Sequence, residues 1–437
     1  MKIENIALLL TPIILIVILS TFEIAGYTHS SNKNEITNNI KKPPIDSESD
    51  SIDTTESEEN EQEQISENET DSSEEFPEVD KMLQAYEEIQ QEEEAAFQNK
   101  IEKKWGEYKS SSAKEWLSYS ETDNVRRTVN YETGEVSVEI LLSGESMISE
   151  SVKKLLEKET HKLLNSTEED AYLKDEVSQK IESRLPKNNN IIARGNPEKT
   201  PLFNIDRMPE LSFNYSGFQK VSSNARTMVN ARIKKSKTKE KVIAETTLKL
   251  DESILRKTSQ YAKILKQMAN KQHISPALVY AIIESESNFN PMAKSHIPAY
   301  GLMQIVPESA GRDATIHIWG KPKVLAPSYL YSSINNIHIG TAYLHVLYYK
   351  YLKKVKNEQS RAYLTIAAYN TGATNVARAF IHQKNFNRAA KKINKMSSDQ
   401  VYRTLVRRLP YRETRKYVKK VTKAMNHYWI MQQQDVI

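Results

Sequence analysis

The hydrophobic period of the chain changes near residue 250, and that change requires two kinds of structure in one polypeptide. Between Lys81 and Leu250 several segments alternate apolar and polar residues. Val125, Arg127, Val129 and Tyr131 share one side of a strand, and Val136, Val138 and Ile140 share one side of the next, with Glu132-Thr133-Gly134-Glu135 as the turn between them. Strand-like segments recur at 226–235 and 241–250, the latter placing Val242, Ala244, Thr246, Leu248 and Leu250 on one face. Helical stretches are expected at 81–105, 147–165 and 169–184, and 186–225 reads as loop-rich. From Glu252 onward the spacing is helical, broken at Pro276, Pro291, Pro298, Pro307, Gly320, Pro322, Pro327 and Pro410. The chain is therefore predicted to be α+β overall: an α+β N-terminal accessory domain over 81–250, then an all-α domain over 251–437.

The residues before this body have a different character. Ile6 to Phe22 is an apolar run of 17 residues preceded by Lys2, so residues 1–27 read as a signal peptide or a membrane anchor. Residues 28–80 are rich in Ser, Asn, Glu and Asp and poor in aromatics, which predicts a disordered acidic linker. Residues 43–80 alone hold sixteen acids and no Lys or Arg, so the rest of the chain carries about +20 against a whole-chain net charge of +4. A basic body suits an anionic polymer, an anionic lipid surface or nucleic acid. The export segment argues against nucleic acid as a partner. Cysteine is absent, which removes disulfides, thiol chemistry and lipid attachment on Cys. With no glycine-rich phosphate loop and no His cluster at ligand spacing, neither a cofactor nor a metal is expected.

One carboxylate stands out in the helical half. Ser275-Pro276 is a helix start, and Pro291 stops that helix after about Ser287. At roughly 100° per residue, Leu278, Val279, Ile282 and Ile283 form an apolar stripe centred about 70° from Leu278, and Glu286 falls on it at about 80°. Glu284 falls near 240°, opposite the stripe. A carboxyl on the core face loses solvation, keeps its proton near neutral pH and can protonate a leaving oxygen. The alternatives are pairing with a buried Arg or Lys, or a helix that frays before Glu286 reaches the core.

Glu286-Ser287-Asn288-Phe289-Asn290-Pro291, Ser295, Gly301-Leu302-Met303-Gln304 and Ala368-Tyr369-Asn370-Thr371-Gly372 together resemble the lytic transglycosylase domain of the soluble-transglycosylase, goose-lysozyme-like family. The resemblance continues through Val401-Tyr402 and Glu413-Thr414-Arg415-Lys416-Tyr417-Val418, and upstream through Trp105-Gly106-Glu107 and the 130–140 hairpin. It implies a lysozyme-like fold for 251–437 and an enzyme that cleaves peptidoglycan glycan strands. By the same resemblance Glu286 is the catalytic acid and base, and Ser287, Ser295, Met303, Gln304, Tyr369, Asn370 and Tyr417 are substrate-binding. Ser287 has a competing role, since its hydroxyl can bond the helix backbone as readily as it can hold the Glu286 carboxylate. Glycoside hydrolysis ordinarily needs two carboxylates. The resemblance implies instead that Glu286 protonates the bond between N-acetylmuramic acid and N-acetylglucosamine, and that the muramic 6-hydroxyl attacks C1 to leave a 1,6-anhydro end. The alternatives are a hydrolase on the same fold, with Asp313 or another acid positioning water, and a non-catalytic cell-wall binder using the basic stretch 403–423.

Overall fold

The first described helix, α1 (Pro77–Trp105), begins with Pro at a first-turn position and ends at Gly106, whose φ of 73° lets its N–H close on the Glu102 carbonyl. The computed structural model describes residues 76–434 except 145–147, 209, 216–225, 239–240, 256–257 and 296–297. The apolar run at 6–22 and the acidic segment up to residue 75 lie outside the described residues. Residues 77–80, predicted as linker, are helical instead: Val79 is buried and the Asp80 carboxylate accepts a hydrogen bond from Arg312. Glu78 and Asp80 sit in the first turn, where the helix dipole favours acids, so the same acidity suits a helix start.

Beyond α1 run β1 (Glu115–Tyr119), β2 (Val125–Asn130), β3 (Glu135–Ser143), α2 (Glu150–Leu164), α3 (Glu168–Leu173), α4 (Glu176–Arg184), β4 (Ile192–Ala193), β5 (Glu210–Asn214), β6 (Arg226–Lys235) and β7 (Lys241–Lys249). Six of these strands form one sheet in the order β1-β2-β3-β7-β6-β5, antiparallel throughout except that β5 runs parallel to β6. The hairpin predicted at 125–142 and the strands predicted at 226–235 and 241–250 are all present. The helix predicted over 169–184 is two helices, broken at Lys174-Asp175, where Asp175 caps α4 by accepting from Ser178 N. β1 and β5 were not predicted, being too short for alternation to stand out.

The period-two pattern divides the sheet. Val129, Val136, Val138, Ile140, Ala244 and Leu248 bury themselves under Val152, Leu156 and Leu163 of α2. On the opposite face Leu117, Leu141 and Ile243 pack against Ile101 and Trp105 of α1. Beside them Arg126 Nε donates to Glu139 at 2.5 Å and Nη2 to Glu107 at 2.9 Å, its guanidinium lying 4.4 Å from the Trp105 ring centroid. The ladder continues through Lys234, which bonds both Glu139 and Glu245.

The second half comprises α5 (Glu252–Leu255), α6 (Thr258–Lys271), α7 (Pro276–Glu286), a π-helical turn (Pro307–Gly311), α8 (Arg312–Trp319), β8 (Val324–Leu325), α9 (Pro327–Leu330), α10 (Ser333–His345), a second π-helical turn (Val346–Tyr351), α11 (Glu358–Ile381), α12 (Phe386–Ile393), α13 (Ser398–Arg408) and α14 (Arg412–Gln433). Helix α7 lies at the centre and packs on α14, where Tyr280 and Tyr428 stack at 5.0 Å. The region predicted as all-α contributes one short strand, because β8 pairs in parallel with β4. Two residues per strand leave no periodicity to read.

Sheet and helices share one continuous core, running from Val129 and Leu248 through Ile282 and Leu302 to Tyr428. Polar contacts reinforce it. Glu198 accepts from Ser333 N and Ser332 Oγ at the start of α10, and Glu182 accepts from Ser328 N and Oγ at the start of α9. Each carboxylate thus satisfies donors that a helix N-terminus leaves unpaired. Tyr86 of α1 donates to the buried Tyr300 hydroxyl, which donates in turn to Gln90.

Candidate active site

Glu286 is the last residue of α7, and the helix reaches it through almost continuous burial from Pro276 to Ile283. Ser275 occupies the N-cap position, but its side chain makes no cap hydrogen bond. The apolar stripe is wider than predicted, since Glu284 is half-buried rather than on a solvated face. Glu286 is also half-buried, its carboxyl surrounded by protein yet still reachable from outside. Desolvation pushes its pKa from 4.5 up to about 7, against the hydrogen bond from Tyr417. Tyr417 Oη donates to Glu286 Oε1 at 2.6 Å. The nearby charges of Lys420, Glu413 and Lys114 make smaller contributions of mixed sign. A carboxyl with a pKa near 7 can both give and take a proton at neutral pH.

The chain turns sharply beyond Glu286, which ends the helix at that carboxyl. Asn288 and Phe289 both have positive φ, 52° and 65°, a conformation costly for a bulky residue such as Phe. Buried side chains hold the turn. Ser287 donates to Ile283 O at 3.1 Å and Leu302 O at 2.8 Å, Asn290 Nδ2 donates to Ala113 O at 3.2 Å, and Asn288 donates to Tyr131 O. Strain in this position persists because its surroundings over-determine it.

The predicted binding residues separate into two groups. Ser287 is fully buried with its hydroxyl committed to two carbonyls, so it braces the turn. Met303 is also fully buried, and its sulfur fills the space above Gly340, where an added Cβ would come within 2.2 Å of it. Both belong to the wall behind the site; a hydroxyl and a thioether next to motif residues give no hint of which way they point. In the other group, Tyr369 and Tyr417 are the residues tied to Glu286. Tyr369 is half-buried, donates to Met303 O at 2.7 Å, feels the Glu286 charge and meets the Tyr343 ring at 5.5 Å. Asn370 is exposed, and its Oδ1 accepts from Thr414 Oγ1 at 2.7 Å. Gln304, at φ 48°, bonds the Ala299 and Gly301 carbonyls, and Ser295 N donates to Ala299 O, so one loop carries both. Tyr417 does more than line a groove, since it bonds the acid itself.

Gly301 has φ 72°, and a Cβ there would lie 2.3 Å from Asn336 Nδ2. Asn336 is fully buried; it accepts from Met303 N and donates to Tyr300 O and Leu330 O, locking the 300–303 loop. Its only signal in the sequence is an Asn inside an apolar helical stretch. Gly372, with φ 77° and ψ 153°, kinks α11 two residues beyond Asn370. Asp313, the candidate second acid of a hydrolase, accepts from Tyr351 Oη at 2.8 Å, tying the first turn of α8 to the second π-helical turn.

A transglycosylase SLT domain family model matches residues 263–394, a span that holds Glu286, Gln304 and Tyr369. Membrane-bound lytic murein transglycosylase C of Klebsiella pneumoniae is 40% identical over 202 residues, 46% of this chain and 55% of that protein. Over that match the chain spans little more than half of the Klebsiella relative. The protein of the same name from Pectobacterium atrosepticum is 31% identical over 337 residues, 76% of this chain and 88% of its own length. Among solved structures, the 70 kDa soluble lytic transglycosylase of Escherichia coli is 28% identical over 39% of this chain and 24% of that one, with a TM-score of 0.29. The breadth of the Pectobacterium match, which takes in the sheet region as well as the SLT domain, places this chain in the membrane-bound lytic murein transglycosylase C family.

Proposed function

We infer that the protein is a peptidoglycan lytic transglycosylase, cleaving the β-1,4 bond between N-acetylmuramic acid and N-acetylglucosamine with Glu286 as its acid and base. The observation that carries this reading is the desolvated Glu286 carboxyl, at about pKa 7, held by Tyr417 at the end of a buried helix. In the first half-reaction Glu286 donates its proton to the glycosidic oxygen as the C1–O bond breaks. In the second, the Glu286 carboxylate takes the proton of the muramic 6-hydroxyl as that oxygen bonds to C1, closing the 1,6-anhydro ring and restoring the acid. An intramolecular nucleophile needs no carboxylate to position water. Asp313 is engaged with Tyr351 and is not among the charges acting most on Glu286. Tyr369, Asn370, Gln304 and Ser295 supply amide, hydroxyl and aromatic groups to match the hydroxyls and C–H faces of a sugar.

The envelope location follows from the apolar run at 6–22 and the name of the relatives, and the chain acts on the periplasmic side with no lipid on cysteine. Among the described residues no helix is long and apolar enough to cross a membrane. Mass spectrometry of products from purified sacculi tests the activity. Anhydro-muramic ends are expected, and reducing muramic ends would show that water is the nucleophile.

A further inference from the structure

The proton transfers at Glu286 leave the Lys and Arg residues of the 403–423 stretch unused, and these form a surface of one sign. Helix α13 buries Val401, Tyr402, Leu405 and Val406, and α14 buries Thr414, Val418, Val421 and Thr422. The positions between them face solvent. Of the nine exposed residues between Arg403 and Lys423, eight are Lys or Arg and the ninth is Glu413. On α14 the spacing of Arg412, Lys416, Lys419 and Lys423 places the four in one stripe, about 16 Å long at roughly 1.5 Å per residue. Arg415 ties α14 to the end of α13, its Nη1 donating to the Leu409 carbonyl at 2.5 Å.

A solvated helix face ordinarily mixes signs and pairs them. That holds on α4, where Lys180 lies 2.9 Å from Glu176 and Arg184 lies 2.7 Å from Glu92. By contrast, Arg403, Arg407, Arg412, Lys416, Lys419 and Lys423 have no ion pair among the described residues. From residue 76 onward the chain has 57 Lys and Arg against 40 acids, and the stretch 403–423 holds nine of the former and one of the latter. Nearly half of the excess positive charge of that body thus sits in 21 residues. Such a concentration of one sign attracts polyanions. The face is also continuous with the catalytic centre, because Lys416 directly precedes Tyr417, whose phenol donates to Glu286 at 2.6 Å. A lipid surface fits less well, since the apolar face of α14 is committed to the core and leaves little to insert.

We propose that the basic face of α13 and α14 is a docking surface for the peptide carboxylates of peptidoglycan, holding the sacculus against the enzyme while Glu286 acts on a glycan strand. The proposal rests on the transglycosylase reading above. In intact peptidoglycan the lactyl carboxyl of a peptide-bearing muramic residue is amidated, so the peptides supply the negative charge.

The test measures binding of the full chain to purified sacculi by co-sedimentation, with Glu286→Gln in every protein so that nothing is digested. A test variant adds Arg403→Gln, Arg407→Gln, Lys416→Gln and Lys419→Gln. A control adds Lys154→Gln, Lys158→Gln, Lys162→Gln and Lys266→Gln, at four exposed lysines of α2 and α6. The test variant is expected to bind about tenfold more weakly at about 0.15 M salt, as the loss of four exposed ion pairs predicts, and the control within about twofold of the parent. A charge-preserving variant, with Arg403→Lys, Arg407→Lys, Lys416→Arg and Lys419→Arg, should bind like the parent, which separates lost charge from damaged folding. Coupling glycinamide to the carboxyls of the sacculus should erase the difference between parent and test variant. Equal binding by all the proteins, or equal losses in test and control variants, would overturn the surface. So would a difference that persists on amidated sacculi, one seen only with phosphatidylglycerol vesicles, or one that appears only after residues 43–75 are deleted, which would give the face to the chain's own acidic segment. Wild-type products are scored separately: a lack of anhydro ends would remove the transglycosylase reading, while the binding comparison would still decide the surface.

Discussion

Glu286 and Glu284 differ by two positions and make the sharpest comparison at the residue scale. Glu286→Gln keeps the shape of the side chain and loses proton transfer, so turnover on sacculi should fall by about 10³-fold or more, while Glu284→Gln stays near wild type. Similar rates for the two variants would remove Glu286 from the mechanism. The same substitution has a stability signature. Because the folded pKa is raised from 4.5 to about 7, the native state binds the proton more tightly than the unfolded chain does. Wild-type stability is therefore lost as pH rises across that interval. Glu286→Gln lacks this loss, so its Tm relative to wild type should climb between pH 4.5 and 7 and level off above, as calorimetry across pH would show. For wild type, kcat/KM should decline as pH rises through about 7, where Glu286 loses the proton it must donate. Tyr417→Phe removes a hydrogen bond that favours the carboxylate. Its alkaline limb should move to higher pH, and kcat should drop about tenfold through loss of orientation. A limb that stays in place would show that Tyr417 does not tune the acid.

At the scale of elements, period and punctuation were legible where an element is long and one face is buried. Strands β2, β3, β6 and β7 alternate because each lies between the α2 core and the charged ladder on the opposite face. The ladder itself was not legible, since Arg126 and Glu139 stand thirteen residues apart and only the β2–β3 register makes them neighbours. Arg126 is fully buried, so Arg126→Ala would strand the Glu139 carboxylate and should cost about 3–5 kcal/mol in urea unfolding. A cost under about 1 kcal/mol would mean that Lys234 and Lys109 suffice as partners for Glu139. The start of α1 was misjudged for a physical reason already visible in its residues: acids before an apolar pattern suit a helix N-terminus as well as a solvated linker.

Across the whole molecule, the sheet region and the helical region depend on each other. Glu182 and Glu198 cap helices of the second half, Tyr86 and Gln90 satisfy the buried Tyr300 hydroxyl, and Tyr131 and Ala113 hold the turn after Glu286. A fragment of residues 251–437 alone should therefore melt well below the full chain and turn over sacculi poorly, as circular dichroism and product release would reveal. A fragment with full-length stability and rate would show these contacts to be incidental. Deletion of residues 43–75, by contrast, should leave turnover of the purified protein nearly unchanged, because a segment so acidic and so poor in apolar residues has little surface to bury.

The sequence by itself determined the element types of the long segments, the placement of Glu286 at the end of an apolar helix, and the four motifs that mark the family, because periodicity and local spacing are properties of neighbouring residues. Only the tertiary structure decided which motif residues face the site. Ser287 and Met303 turn into the wall because Ile283, Leu302 and Gly340 offer them partners there, while Tyr417, 131 residues from Glu286, reaches its carboxylate because α14 packs on α7. A single shared core brings the sheet against the helices, and contacts between residues so distant along the chain arise from packing rather than from any local pattern.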